Sequence, residues 1–454
     1  MKEWSKERPI LVAGAGISGT NAVRLIFETG YTPILYDGNV KLDQEKVFSK
    51  VGRRDFELVL GELTEEVIRR VQFCVMSPGI PLTRPFVLQL QEAGVPLMSE
   101  IALAYHFSKG RVGVVTGTNG KTTTTTLIGH IMKAVVPETY TVGNIGTPYS
   151  DTVLQTTDNS LTVIEASSFQ LETIDEKELV PDLLVLTNIR EDHLDRHGSL
   201  KNYSDIKKKL CTYMRPDQTV VINGEDEWLA DLPDRTRARV LRFSSKNELE
   251  EGCFLREGEI ILRMDKEEWD LCPTSKIQLL GMHNYENIMT GVLAAYALGA
   301  PVDVIREQIL SFTAVSHRME YVCTKNGVLF YNDSKATNPD SVVKAMEVVT
   351  PPVVLIAGGF DRHADYREMV ESFRGKVRYI ILLGTTARDI ADAVAKYYPL
   401  PTALVSTMAE AVKEAKKAAV PGDTVLLSPA CASWDMYPNF EIRGEEFKKL
   451  ARED

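Results

Sequence analysis

The sequence predicts an α/β protein of three domains: a Rossmann-like N-terminal domain (1–98), a central domain with a P-loop-type phosphate loop on a parallel sheet (99–315), and a Rossmann-like C-terminal domain (316–454). Three observations predict it. Short runs rich in Val, Ile and Leu recur along the chain and stop at glycine or polar loops, as strands of a parallel sheet do. Two of those loops are glycine turns of the phosphate-holding kind, G-A-G-I-S-G at 14–19 and G-T-N-G-K-T-T at 117–123. Finally, 454 residues suffice for two or three domains of roughly 100–200 residues each.

Composition narrows the function. Hydrophobic content of 44% and charged content of 25% describe a soluble globular chain. A net charge of −11 argues against a nucleic-acid partner, which wants a basic face. It leaves a phosphorylated ligand open, because a local glycine loop with single Lys or Arg residues suffices. The six cysteines are scattered with no C-x-x-C pair, so neither a zinc site nor a disulfide framework is expected. There is no N-terminal apolar leader and no run of about 18 apolar residues. A cytoplasmic monomer with no membrane partner is expected.

In chain order, a strand over 10–13 enters the turn Gly14, Gly16, Gly19, followed by a helix that Gly30 ends and a strand over 32–36 with Asp37 at its tip. That is the dinucleotide fingerprint, with its acidic residue at about the expected 20-residue offset. An NAD-dependent oxidoreductase is therefore a rival reading, although such a turn specifies only a phosphate or a close backbone approach. A strand over 73–76 breaks at Ser77-Pro78-Gly79 on the same ligand edge.

The central segment opens with Val112, Val114 and Val115, the glycine loop, and helix-compatible sequence over 127–132. Gly117 and Gly120 let backbone N–H groups turn inward, Lys121 supplies a point charge, and the Thr122 hydroxyl can take Mg2+. The loop is short, with Val115 where the common P-loop opens on glycine. Strands over 161–164 and 183–186 end at Glu165 and at the stretch holding His193. With Lys121 and Thr122 these form the inventory of a Mg-nucleotide site; the plainer readings are a strand-end carboxylate and a solvated loop. A helix over 201–214 has the apolar stripe Tyr203, Ile206, Leu210, Met214. At about 100° per residue, Lys207 lies roughly 50° from its centre, while Lys208 and Lys209 lie outside it. A buried ammonium is costly unless paired or altered; a snorkelling lysine is the alternative. A strand over 219–222 precedes loops and hairpins to residue 270, and 281–287 opens a helix over 288–298 in which Asn284 and Asn287 share a side, for a base or as caps. In the last segment strands end at 332–335, 358–362, 384–385 and 428–430, a doubly wound sheet whose polar loops are expected to act as a lid.

The motifs G-T-N-G-K-T-T, E-A-S-S-F-Q-L-E, T-N-I-R-E-D-H-L-D, G-M-H-N-Y-E-N, S-H-R-M-E, N-D-S-K-A-T-N-P-D-S and L-S-P-A-C-A-S-W-D-M-Y-P-N-F-E-I-R-G, in this order, resemble those of the Mur ligases of peptidoglycan synthesis, the last two most closely the D-glutamate-adding branch. The resemblance implies an ATP-dependent amide ligase working through an acyl phosphate, with UDP-N-acetylmuramoyl-L-alanine and D-glutamate as substrates. It assigns Ile17, Ser18, Asp37, Ser77, Gly79 and Asn144 to the sugar nucleotide, so that the first glycine turn holds UDP rather than NAD. It gives Gly117, Thr118, Asn119, Gly120, Lys121, Thr122, Thr123, Asn284, Asn287, Arg318 and Asp333 to ATP. Lys335, Thr337, Arg362, Ser433 and Phe440 go to D-glutamate; some relatives have lysine at the position of Arg362. Two Mg2+ sites are implied, Thr122 and Glu165 on one, His193 and a carbamylated Lys207 on the other. Lys121, His193, Lys207 and Arg318 form the catalytic set. The D-N-P-R signature of diamino-acid addition is absent. Sister ligases, folylpolyglutamate synthase and a nucleotide-regulated binding module are the other readings.

Overall fold

The computed structural model describes residues 4–277, 279, 281–313, 317–360 and 364–453. The chain divides into two compact units, Met1–Ile277 with Met282–Phe312, and Gln278–Gly281 with Thr313–Asp454. The first unit holds two sheets and the second holds one.

The first sheet comprises β1 (Ile10–Ala13), β2 (Pro33–Asp37), β3 (Glu57–Leu60), β4 (Cys74–Met76) and β5 (Leu97–Ser99), all parallel, in the order β3-β2-β1-β4-β5. Strand order reverses between β1 and β4, which opens a crevice at their carboxyl ends, where open α/β sheets bind ligands. The helix Ile17–Glu28 starts inside the glycine turn and stops before Gly30, whose φ of 78° is left-handed.

The central sheet has nine strands: β6 (Arg111–Thr116), β7 (Thr139–Gly143), β8 (Leu161–Glu165), β9 (Leu183–Leu186), β10 (Thr219–Asn223), β11 (Arg239–Ser244), β12 (Gly252–Arg256), β13 (Glu259–Met264) and β14 (Glu267–Pro273). β6 lies between β8 and β9, parallel to both, so the strand ends bearing the phosphate loop, Glu165 and the His193 stretch are neighbours. The stretch expected as loops and hairpins is more regular than its composition suggests. β11 and β12 extend the parallel sheet, and β12–β13–β14 form an antiparallel meander. Its outward charges pair across strands, as Arg256 and Arg263 do with Glu268, and give the segment its loop-like composition. The helix after β6 spans Lys121–Lys133 and thus begins at the loop lysine. Its run Thr122–Thr125 is buried, and packing overrides the modest helix propensity of β-branched residues. The helix expected over 201–214 is Leu200–Lys208, followed by a tighter 3-10 turn, Lys209–Cys211.

The second unit contains β15 (Glu320–Lys325), β16 (Val328–Asn332), β17 (Val353–Ala357), β18 (Val377–Leu382), β19 (Thr402–Leu404) and β20 (Thr424–Leu427), in the order β15-β16-β20-β17-β18-β19. Only the β15–β16 hairpin is antiparallel. No helix among the described residues is long and apolar enough to cross a membrane.

Candidate active site

At the crevice of the first sheet, the glycine turn is held from two sides. Asp37 accepts hydrogen bonds from the N–H of Ala15 (2.9 Å) and of Asn39 (2.9 Å), and the Ser77 N–H donates to the Ala13 carbonyl (3.0 Å). Gly14 is needed both for its left-handed φ of 96° and for contact, since a Cβ there would meet the Ser77 side chain, and Gly19 for contact, since its Cβ would collide with the Gly14 carbonyl. Beside the turn lies a cavity of about 720 Å³, lined by Asp37, Asn39, Leu63, Arg84 and Phe86 among others. Ile17 is 64% exposed at this edge, with Ser18 next to it and Gly79 open to solvent. Of the residues assigned to the sugar nucleotide, Ile17, Ser18, Asp37, Ser77 and Gly79 cluster here. Asn144 does not; it follows β7 in the central sheet, and its Nδ2 donates to Glu165 Oε1 (2.8 Å).

The phosphate loop is braced by its neighbours. Asn188 accepts the N–H groups of Thr118 and Asn119 through its carbonyl (2.8 Å) and Oδ1 (3.0 Å). Gly120 has φ 82°, and a Cβ there would overlap Asn287 Oδ1; one on Gly117 would overlap Thr187 Oγ1. Asn287 thus sits against the loop from the helix Met282–Ala297, and Asn284 lies one turn earlier in that helix with its Oδ1 3.4 Å from Asn287 Nδ2. The first turn of the helix Lys121–Lys133, including Thr122 and Thr123, offers N–H groups that have no acceptor within the helix. Lys121 Nζ donates to the carbonyls of Gly117 (3.0 Å) and Thr118 (2.7 Å).

Whether this loop suits a divalent cation turns on Glu165. It is 1% exposed, Asn144 occupies Oε1, and Oε2 has no hydrogen-bond partner. An unpartnered, buried carboxylate oxygen at a strand end neighbouring that of the phosphate loop is a hard-oxygen donor, and it fits Mg2+. Among the described residues no group of three or more His, Cys, Asp and Glu is gathered for a metal, so the remaining ligands have to come from hydroxyls, water or a bound phosphate. His193 has φ 52° and caps the helix Leu194–His197, its ring 4.7 Å from that of Phe169.

Lys207 is 1% exposed. Its Nζ donates to the Gly117 carbonyl (2.8 Å), the same oxygen that Lys121 uses, and lies 4.6 Å over the Tyr203 ring. Burial, and then the charge of Lys121, push its pKa well below the usual lysine value. The expectation of one inward lysine requires correction, because Lys208 is also buried, at 4% exposure. Its Nζ donates to the Trp228 carbonyl and to Asp231 Oδ1, both at 2.9 Å. A single apolar stripe assumes solvent on the opposite helix face, and here residues 228–231 cover it.

In the second unit, Asp333 is buried at the end of β16; Ser428 Oγ donates to it (2.7 Å), as does the Met319 N–H (3.2 Å). Burial raises its pKa from 3.8 to about 7, with the Ser428 hydrogen bond and then the Arg318 charge opposing the rise. Lys335 Nζ lies 5.9 Å over the Phe440 ring, Thr337 follows on the same loop, and Ser433 is 2% exposed. Arg362 lies outside the described residues. Sequence reasoning passed over Arg443, whose buried guanidinium joins the Ser334 and Cys431–Ala432 backbones, and Arg196, treated below. A signal for Arg196 is its place three residues after His193.

The chain matches the descriptions "Mur ligase MurD-like, N-terminal domain" over 8–99, "Mur ligase middle domain" over 115–295 and "Mur ligase, glutamate ligase domain" over 317–431. It is 43% identical over 446 residues to a UDP-N-acetylmuramoylalanine--D-glutamate ligase of Lachnospira eligens, covering 98% of each chain. It is 36% identical over 445 residues to the protein of that name from Clostridioides difficile, again covering 98% of each. Among solved structures it resembles MurF of Acinetobacter baumannii (TM-score 0.62, 14% identity, 97% of this chain and 93% of that one). It also resembles the UDP-N-acetylmuramate-alanine ligase of Thermotoga maritima (TM-score 0.60, 17% identity, 97% and 98%), and both likenesses establish the fold. With three family domains matched in order and relatives near 40% identity over almost the full length, the chain belongs to the Mur ligase family.

Proposed function

We propose that this chain is an ATP-dependent ligase that joins D-glutamate to UDP-N-acetylmuramoyl-L-alanine, in the cytoplasm and as a monomer. The observation that carries the reading is the meeting, at the ends of β6, β8 and β9, of a phosphate loop with Lys121, a buried carboxylate with an open oxygen, and His193. The substrates are those in the names of the relatives. Residues 1–98 bind the sugar nucleotide, with the uridine end in the cavity beside Asp37; 99–315 bind ATP; 316–454 bind the amino acid.

A carboxylate and an amine at neutral pH form a salt, so the carboxylate has to be activated. The alanyl carboxylate attacks the γ-phosphorus of ATP and ADP leaves, giving an acyl phosphate; the amine of D-glutamate then adds, loses a proton and expels phosphate. Lys121 and the N–H groups of 117–123 hold the phosphates, and Arg318 adds charge that stabilises the transferring group. Asn284 and Asn287 contact the nucleotide, as does Asp333. Lys335, Thr337, Arg362, Ser433 and Phe440 hold D-glutamate. Thr122 and Glu165 would hold one Mg2+, and His193 and Lys207 a second; such ions would screen the repulsion between anions. Lys207 serves as its carbamate: burial disfavours its ammonium form, and the amine adds to CO2 with release of a proton, which would replace a cation with a carboxylate.

The test is ATP-dependent phosphate release with UDP-N-acetylmuramoyl-L-alanine and a panel of D- and L-amino acids. Turnover with D-glutamate and little with L-glutamate or D-aspartate is expected, because polar groups built to pair a carboxylate at one reach are left unpaired when it is misplaced. Equal rates with L-alanine or a diamino acid would move the chain to a sister activity.

A further inference from the structure

At the ligand edge, beside an apolar core that the first two domains share, Arg196 joins the 77–80 loop of the first domain to the central domain. Arg196, on the helix Leu194–His197 that His193 caps, donates from Nη1 to the Pro78 carbonyl (2.8 Å) and from Nη2 to the Ile80 carbonyl (3.1 Å). Its Nε and Nη2 also reach the Glu172 carboxylate, at 3.2 and 2.6 Å. The guanidinium lies 4.1 Å over the Phe169 ring, which is itself against His193. Arg196 and Glu172 are only 14% and 9% exposed.

We propose that Arg196 is a positioning residue: it clamps the 77–80 loop of the sugar-nucleotide crevice to the element that carries His193, and so fixes how far the bound sugar nucleotide lies from the phosphate loop. This rests on the proposed function. The chemistry supports a clamp rather than filler. Arginine's fixed fork serves two carbonyls and a carboxylate at once, which a lysine cannot do, and Glu172 with Phe169 holds the fork in one orientation. The ion pair that Arg24 of the first domain makes with Asp151 of the central one is 38% and 40% exposed and contributes little fixity. Misplacement by about 1 Å at a reacting centre costs on the order of a hundredfold in rate, and Arg196 ties the loop directly to the turn that carries His193.

The test uses the full chain as Arg196→Met, Arg196→Lys and Glu172→Gln, with Arg24→Ala as control. UDP, which needs the first domain alone, should bind Arg196→Met within about twofold of the wild type, while UDP-N-acetylmuramoyl-L-alanine binds about tenfold more weakly and kcat at saturation falls about a hundredfold. Hydrogen exchange of the Ser77, Gly79 and Ile80 amides should speed up in the same variant, and that readout needs no turnover. Arg196→Lys should behave the same way if the Met variant folds poorly, Glu172→Gln should show a smaller effect, and Arg24→Ala should show none. Wild-type kcat with unchanged exchange in the Arg196 variants overturns the clamp, and so does a parallel loss of UDP and sugar-nucleotide affinity. A wild-type protein that turns over no amino acid fails the proposed function instead, and the exchange experiment still decides the clamp.

Discussion

Replacing Lys207 or Lys208 by alanine removes neighbouring side chains of the same kind, and the structure assigns the two losses to different quantities. Lys208 is covered and makes two charge-assisted hydrogen bonds, to the Trp228 carbonyl and to Asp231. Asp231 is 45% exposed and keeps Arg235, so part of the pairing is screened. Lys208→Ala is therefore expected to cost about 2 kcal/mol of stability and to leave kcat within a few-fold. Lys207 is the reverse case. Its folded pKa is depressed, so the folded state binds fewer protons than the unfolded one over the window from that lowered value up to 10.5. Stability therefore rises with pH across that window and is lowest below it. Lys207→Met should remove the slope: in CO2-free buffer its urea midpoint at pH 6 should equal or exceed that of the wild type, and the gap should close as pH rises. Activity should fall, by about a thousandfold for Lys207→Ala if the carbamate stabilises the transferring group as one strong electrostatic contact does. Acetate, which can occupy the hole, should restore part of it. The assays are phosphate release and urea unfolding of the same preparations. The reasoning is refuted if Lys207→Ala keeps a tenth or more of wild-type turnover, or if Lys208→Ala is as stable as the wild type yet inactive.

Lys121→Ala should lose about a thousandfold in turnover, near 4 kcal/mol, with sugar-nucleotide affinity by calorimetry nearly intact. Gly120→Ala should weaken binding of a fluorescent ATP analogue by tenfold or more, because a left-handed alanine alone costs about 1–2 kcal/mol and its Cβ would also displace Asn287. Asp333 titrates at about 7 when folded against 3.8 ordinarily, so the folded state holds an extra proton between these values and stability falls as pH rises from 3.8 to about 7. Asp333→Asn should flatten that fall in thermal melts of the full chain.

The strands that position the site were legible because parallel strands buried on both faces are continuous apolar runs, and the glycine turns mark where they end. β1 and β9 fall on the expected residues. Two kinds of feature were not legible. Meander strands β12–β14 satisfy their outer charges across strands, and charge pairing of that sort has no period to read. The burial of Lys208 depends on residues 228–231, twenty positions away in sequence, which no helical wheel includes.

The same distinction explains why the chemistry was easier to read than its support. Lys121, Glu165 and His193 each sit at a strand end, and a local motif announces each one; only the order β9-β6-β8 was needed to bring them together. The loops that Arg196 and Arg443 hold are gripped through backbone carbonyls, which every residue has, so those targets leave no trace in composition or spacing. Groups that touch substrate have to be particular side chains and are therefore visible in a sequence. Groups that hold loops in place need a particular side chain on one side only, and for them the structure supplies the missing half.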